Sequence, residues 1–408
     1  MKLFMKLLMV GSLVFSGMTS ITTNETISAS ASGFKDVKAD HWAKSSIQAA
    51  VSKGYFKGYT DGTFKPNAAV SRAEFAALLA RVSKANVEIE QKDVFKDLQG
   101  HWSETEVNRA VSLGFIDPKD YKNGFKPKTP ITRAEIAKWM TSGLAAADSD
   151  YKQALEDTKT TVIPVKEYFN PGIPLSESSY IAVALGTNLM NGYPDGSFGL
   201  DKNATRAEAS AILLNLEKVS QKKADSFTGL TELRDVGTKR TNMESISPFT
   251  TGTSSLNNVA DKPLTFRNNA GIIKLHHYIV VDTQDFKNKK GIYASLFVDE
   301  SDYGKLDKIG IYRAYVQVTI YPKAKDFKID HYMNGVNSGI VGGSSIVNNL
   351  PQKFGYLALP NMNTREFFSN YKNGEGVTLW IESYVNINHP EAQMVTDDGS
   401  FAKIINKK

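Results

Sequence analysis

The stretch YTDGTFKPNAAVSRAEFAALLARV, residues 59–82, decides the fold. Asp61-Gly62 marks a tight turn. Ser71 stands three residues ahead of Glu74 and just before an apolar run, which is the capping-box pattern of a helix start. Phe75, Leu78, Leu79 and Val82 then fall at i, i+3, i+4 and i+7, one apolar stripe along a helix. The same order returns twice. Thr132-Arg133-Ala134-Glu135 follows Phe125-Lys126-Pro127, and Thr205-Arg206-Ala207-Glu208 follows Gly192-Tyr193-Pro194-Asp195-Gly196-Ser197-Phe198. Upstream, Phe34-Lys35-Asp36-Val37 and His41-Trp42 match Phe95-Lys96-Asp97-Leu98 and His101-Trp102. The second copy replaces the Gly-Tyr-x-Asp-Gly loop by GFIDPKDYKNGF. The third lacks both front motifs and reads YFNPGIPLSESSY there. Each copy reads as helix, loop, helix, a unit that buries its apolar face only against its neighbours.

The capping box is a sufficient structural reason for Glu74, Glu135 and Glu208. Arg72, Arg133 and Arg206 are different, because a cation at the first helical position opposes the helix dipole. Two explanations stand. An anion bound beside free backbone N–H groups is gripped by the guanidinium, or the arginine pairs with an Asp of a neighbouring repeat. Trp42 and Trp102 likewise read either as core or as platforms for a sugar ring. His41 and His101 read as local hydrogen-bonding residues rather than metal ligands.

Together these motifs resemble the S-layer homology domain, present as three tandem copies over roughly residues 33–219. The resemblance implies an all-α, three-repeat, pseudo-threefold helical spindle. It implies non-covalent anchoring of an exported protein to a Gram-positive cell wall, through secondary cell-wall polysaccharide carrying pyruvate ketals. A pyruvate ketal is a carboxylate on a sugar, which suits an arginine receptor. By resemblance the ligand lies in grooves between prongs, beside Arg72, Arg133 and Arg206 and the loop residues Tyr59, Asp61, Gly62, Tyr193, Asp195 and Gly196, with Trp42 and Trp102 as further candidates. The altered second loop and the eroded third copy leave fewer than three working grooves as an expectation.

The 408 residues divide, on this reading, into a signal peptide (1–31), three repeats (33–90, 91–150 and 151–219), a polar linker (220–263) and a C-terminal domain (264–408). Lys2 and Lys6, a short apolar run and Ala29-x-Ala31 make the signal, and no stretch is read as a membrane anchor after its removal. The net charge of +6 is spread along the chain and does not argue for nucleic acid. Cysteine is absent, which excludes disulfides, thiolate metal sites and Cys nucleophiles. An exported chain without cysteine fits a Gram-positive surface.

Beyond the linker the period changes to two. Tyr312, Ala314, Val316, Val318 and Ile320 share one face, as do Val377, Leu379, Ile381, Val385 and Ile387. This predicts a mainly antiparallel β domain, read as a sandwich and resembling no known family. His276 and His277, adjacent in a strand, are expected on opposite faces. Glu382 between Trp380 and Tyr384 reads as a solvent-facing or interface group, or as a carbohydrate platform. No hydrolase, metal or phosphate motif is present. No cofactor, metal ion or catalytic residue is assigned, and the domain's partner stays open. The alternatives to a displayed, non-enzymatic domain are an anchored wall-remodelling hydrolase and an S-layer lattice subunit.

Overall fold

The computed structural model describes residues 33–83, 88–89, 94–284, 290–299, 310–360, 366–372 and 374–407. The expected signal peptide lies outside the described residues. Each repeat contributes two helices: α1 (Lys44–Ser52) and α2 (Arg72–Val82), α3 (Glu104–Ser112) and α4 (Arg133–Ala147), then, after α5 (Ser149–Asp157) and α6 (Lys166–Phe169), α7 (Leu175–Gly186) and α8 (Arg206–Val219). All three expected capping boxes form, with Ser71, Thr132 and Thr205 as N-caps. The central phenylalanines of the three loops, Phe64, Phe125 and Phe198, are completely buried.

The two helices of a repeat do not pair with each other. Instead α1 packs on α8, α3 on α2 and α7 on α4, so each prong is built from two repeats and the ring closes on itself. Three backbone hydrogen bonds lock the centre in the same cyclic order: Val70 N–H donates to Ala204, Ala204 to Ile131 and Ile131 to Val70, at 2.9–3.0 Å. A repeat that cannot bury its face alone is thereby covered on both sides, with no end left to cap.

The polar stretch 220–263, expected as a linker, is instead ordered. It carries α9 (Thr228–Lys239), which buries Leu230, Leu233 and Val236 and packs on α5 and α7. Its apolar stripe is narrow and set among Thr, Gly and Arg, so composition concealed it. After α10 (Met243–Ile246) the chain forms strands β1 (Phe249–Thr250), β2 (Leu264–Thr265), β3 (Gly271–Val281), β4 (Ile311–Pro322), β5 (Val377–Asn386), β6 (Ala392–Val395) and β7 (Phe401–Asn406), with short helices α11 (Ala294–Phe297), α12 (Ile329–Gly335) and α13 (Leu350–Phe354) between them. One antiparallel sheet has the order β2-β3-β4-β5 and a smaller one β1-β7-β6. The face predicted from period two, Ala314, Val316, Val318, Ile320, Val377, Leu379 and Ile381, is buried together with Phe249, Met394 and Ile404 of the small sheet. Ile387 lies past the strand end and is 41% exposed.

Part of the opposite face of the large sheet is buried too, although Tyr384 at its end is exposed. Ile279, Val281, Tyr315 and Trp380 join one apolar core with the helices of the third repeat. Tyr293 reaches into that repeat and donates to the Val162 carbonyl at 2.8 Å. Asn242 exchanges two hydrogen bonds with Val280 of β3, and its amide also donates to Glu232 of α9. The junction between repeats and β domain is therefore a packed seam rather than a tether.

Two expectations for this domain are corrected. A bulge between Leu275 and His277 inserts His276, and both imidazoles consequently meet the same face of β4: His276 Nε2 bonds Thr319 and His277 Nδ1 bonds Gln317. Burial pushes His277 down to about 4. Trp380 is core, 2% exposed, and Glu382 is ion-paired with Arg313, so these residues make no open sugar platform.

Candidate functional site

Each Thr/Ser-Arg-Ala-Glu helix start is aimed at the loop of the next repeat. The first two helical N–H groups are occupied there: Arg72 and Ala73 donate to Thr129 and Pro127, Arg133 and Ala134 to Lys202 and Leu200, Arg206 and Ala207 to Ala68 and Pro66. Glu74, Glu135 and Glu208 donate their own N–H to the capping hydroxyl. The expected free N–H groups are thus spent on closing the ring, and no backbone anion nest remains at these termini.

The guanidinium groups follow the same cyclic order. Arg72 reaches repeat two, donating from Nε to Glu135 at 2.9 Å and from Nη1 to the Phe125 carbonyl at 3.2 Å, over the ring of Tyr121. Arg133, 4% exposed, reaches repeat three. It donates to the carbonyls of Phe198 and Asn191 and pairs with Glu208 at 3.3 Å, with Tyr193 and Phe198 against its plane. Arg206 returns to repeat one, donating to the carbonyls of Phe64 and Lys57, over Phe56, Tyr59 and Phe64. It makes no ion pair among the described residues. The partner of Arg72 and Arg133 is the capping Glu of the next repeat, not an Asp. The dipole cost at the helix start is offset because each charge is delivered across a seam rather than held over its own terminus.

One carboxylate does two tasks at each of these two seams. Glu208 Oε2 closes its own capping box while Oε1 accepts from Tyr193 at 2.7 Å. Burial works against its charge, but the Thr205 N–H and the Tyr193 hydroxyl hold its carboxyl below the usual range. Burial, with Glu208 alongside, pushes Tyr193 up to about 12. Glu135 and Tyr121 repeat this pair at 3.0 Å. Tyr121 is therefore the second repeat's counterpart of Tyr59 and Tyr193, hidden in the sequence by the rebuilt loop.

Asp61 and Asp195 shape their own loops. Asp61 accepts from the Thr63 hydroxyl and N–H, and Asp195 from those of Ser197. These contacts hold both carboxyls low. Gly62 and Gly196 have φ of 81° and 87°, the left-handed turn that these loops require. A further carboxylate was missed. Asp36 accepts from Phe64 and Lys65, and Asp97 from Phe125 and Lys126. In the third repeat Glu167 takes the same two positions, at Phe198 (2.9 Å) and Gly199 (2.7 Å). Val165-Lys166-Glu167 is thus the front motif of the third repeat, one methylene longer.

Trp42 and Trp102 are not core; they are 66% and 61% exposed, Trp42 stacked on His41 and Trp102 tilted against His101. Trp42 stands at a cleft of about 1020 Å³ whose lining includes Arg133, Tyr193, Lys202 and Asn215. This cleft therefore joins repeat one's tryptophan, repeat two's arginine and repeat three's loop. Trp102 stands just ahead of α3, which packs on α2 of repeat one.

The S-layer homology domain model matches residues 33–76, 94–137 and 174–210. The chain carries three such domains, and the β domain lies outside the matches. It is 35% identical over 127 residues to a cellulosome-anchoring protein of Acetivibrio thermocellus, covering 30% of this chain and 28% of that one. It is 31% identical over 192 residues to the S-layer protein sap of Bacillus anthracis, covering 47% and 22%. It is 30% identical over 183 residues to an amylopullulanase of Thermoanaerobacterium thermosulfurigenes, covering 45% and 9%. The chain thus spans less than a third of the length of each of these relatives.

Proposed function

We propose that this protein is held non-covalently on the cell wall by binding anionic, pyruvylated secondary cell-wall polysaccharide in the clefts between its repeats, with the β domain displayed from that anchor. The observation that carries the reading is the pair of exposed tryptophans, of which Trp42 lines an inter-repeat cleft. An indole more than half in water has little packing reason to be there, and it offers a flat apolar face to a sugar ring. Arg206, without a carboxylate partner among the described residues, supplies charge for a ketal carboxylate beside Tyr59. Lys202, over the Tyr193 ring, supplies it at the cleft of Trp42. Relatives with different printed activities share this segment, which supports an anchor rather than a catalytic unit. Two exposed tryptophans offer an aromatic platform, so two binding places per chain are expected.

The test is co-sedimentation of the full chain with isolated wall sacculi, before and after chemical removal of pyruvate. Trp42→Ala and Trp102→Ala each weaken binding about tenfold, the scale of one lost stacking contact, with unchanged thermal unfolding. Binding that survives the double substitution refutes the cleft assignment. Binding indifferent to depyruvylation refutes the anionic ligand.

A further inference from the structure

We propose that the β domain is part of the anchor: Phe354 positions the 192–199 loop, and with it Tyr193, for the ligand of the Trp42 cleft. The inference rests on the wall-binding reading above. Phe354 ends α13 and is 2% exposed. Its ring lies so close to Gly196 that a Cβ on that residue would stand 2.9 Å from the ring edge. At the equivalent turns of the other repeats, the nearest groups are the Lys35 side chain at Gly62 and Asp97 at Gly124, both from the same repeat. The third loop is thus braced from another domain.

The brace is connected to the cleft. Gly196 N–H donates to the Tyr193 carbonyl at 3.0 Å, and the Tyr193 N–H donates to Ser197 at 2.7 Å, so the turn moves as a unit. The Gly196 carbonyl accepts from Lys166 of α6 at 2.9 Å. Beside it Phe169 packs on Tyr356, ring centroids 5.2 Å apart, and Tyr356 in turn is tied to Leu296. The opposite side of the same loop, Asn191 to Pro194, lines the cleft. Loss of the ring behind Gly196 frees the turn that presents Tyr193 in front. A ligand must then order the turn on binding, which lowers affinity.

The experiment uses the full chain with Phe354→Ala and the milder Phe354→Leu. Amide exchange is read at 193–199 and, as an internal control, at 59–63, and binding is measured to sacculi and to a synthetic pyruvate-ketal saccharide. For Phe354→Ala the expected result is exchange at least about tenfold faster at 193–199 and unchanged at 59–63, with affinity about three- to tenfold lower. Phe354→Leu, which retains much of the buried apolar volume, falls between. Unchanged exchange at 193–199 in Phe354→Leu and Phe354→Ala overturns the proposal. Faster exchange with unchanged binding also overturns it, provided Trp42→Ala weakens binding. If Trp42→Ala is equally silent, the wall-binding reading is what fails, and the inference falls with it.

Discussion

Glu232 is a carboxylate sealed into the seam between the repeats and the β domain, and its titration should be visible in the stability of the whole chain. It is 1% exposed. Its two oxygens accept from Asn242 Nδ2 at 2.9 Å and from the Ile292 N–H at 3.1 Å, and no cation pairs with it among the described residues. Burial pushes its pKa from an ordinary 4.5 up to about 7, against those two hydrogen bonds, with Asp235 adding to the rise. The sign follows from proton binding. Between these two values the folded chain holds a proton that the unfolded chain has released, so stability falls as pH rises. The contribution is complete below about 4.5 and gone above about 7. A rise of this size corresponds to roughly 3 kcal/mol, at about 1.36 kcal/mol per pKa unit. Glu232→Gln cannot ionise, so the difference in unfolding free energy between it and the wild type should change by that amount across the window. Urea unfolding at several pH values between 4 and 8, taken as variant minus wild type, cancels the titration of other groups. A difference that stays constant with pH, or grows in the wild type's favour on raising pH, refutes the reasoning.

Two further outcomes follow from the ring. Arg133→Ala strips a buried guanidinium from Phe198, Asn191 and Glu208 and should cost about 3–5 kcal/mol by thermal unfolding, the scale of breaking a buried ion pair from one side; Arg133→Lys, a point charge without the fork, recovers part of it. Glu167→Ala leaves the Phe198 and Gly199 N–H groups without their acceptor and should cost about 1–3 kcal/mol, with faster amide exchange at those two residues; no change in either measure would deny Glu167 its place in the third front motif.

The helix starts were legible in the sequence because they are local. A Ser or Thr cap, a Glu three residues later and an apolar stripe in i, i+3, i+4 order depend on the chain within one turn. The period-two faces of β4 and β5 were legible for the same reason, and all three capping boxes and both faces form as read, save Ile387 beyond the end of β5. The S-layer homology resemblance rested on these local motifs too. The destination of a long side chain is not local. Arg72, Arg133 and Arg206 lie at equivalent places in sequence, yet two reach the next repeat's Glu and the third, among the described residues, meets backbone carbonyls and no carboxylate. That depends on how the ring closes. Trp42 and Trp102 open helices that look amphipathic, and only the pairing of α1 with α8 and α3 with α2 left them facing water. Glu167 and Tyr121 kept their tasks after their motifs had eroded, because a carboxylate or a phenol needs to arrive at a position in space, not in a pattern. The polar run at 220–263 failed as a linker for the same physical reason. Burial is a property of a neighbour's surface, and α9 found that surface on α7, where composition could not show it.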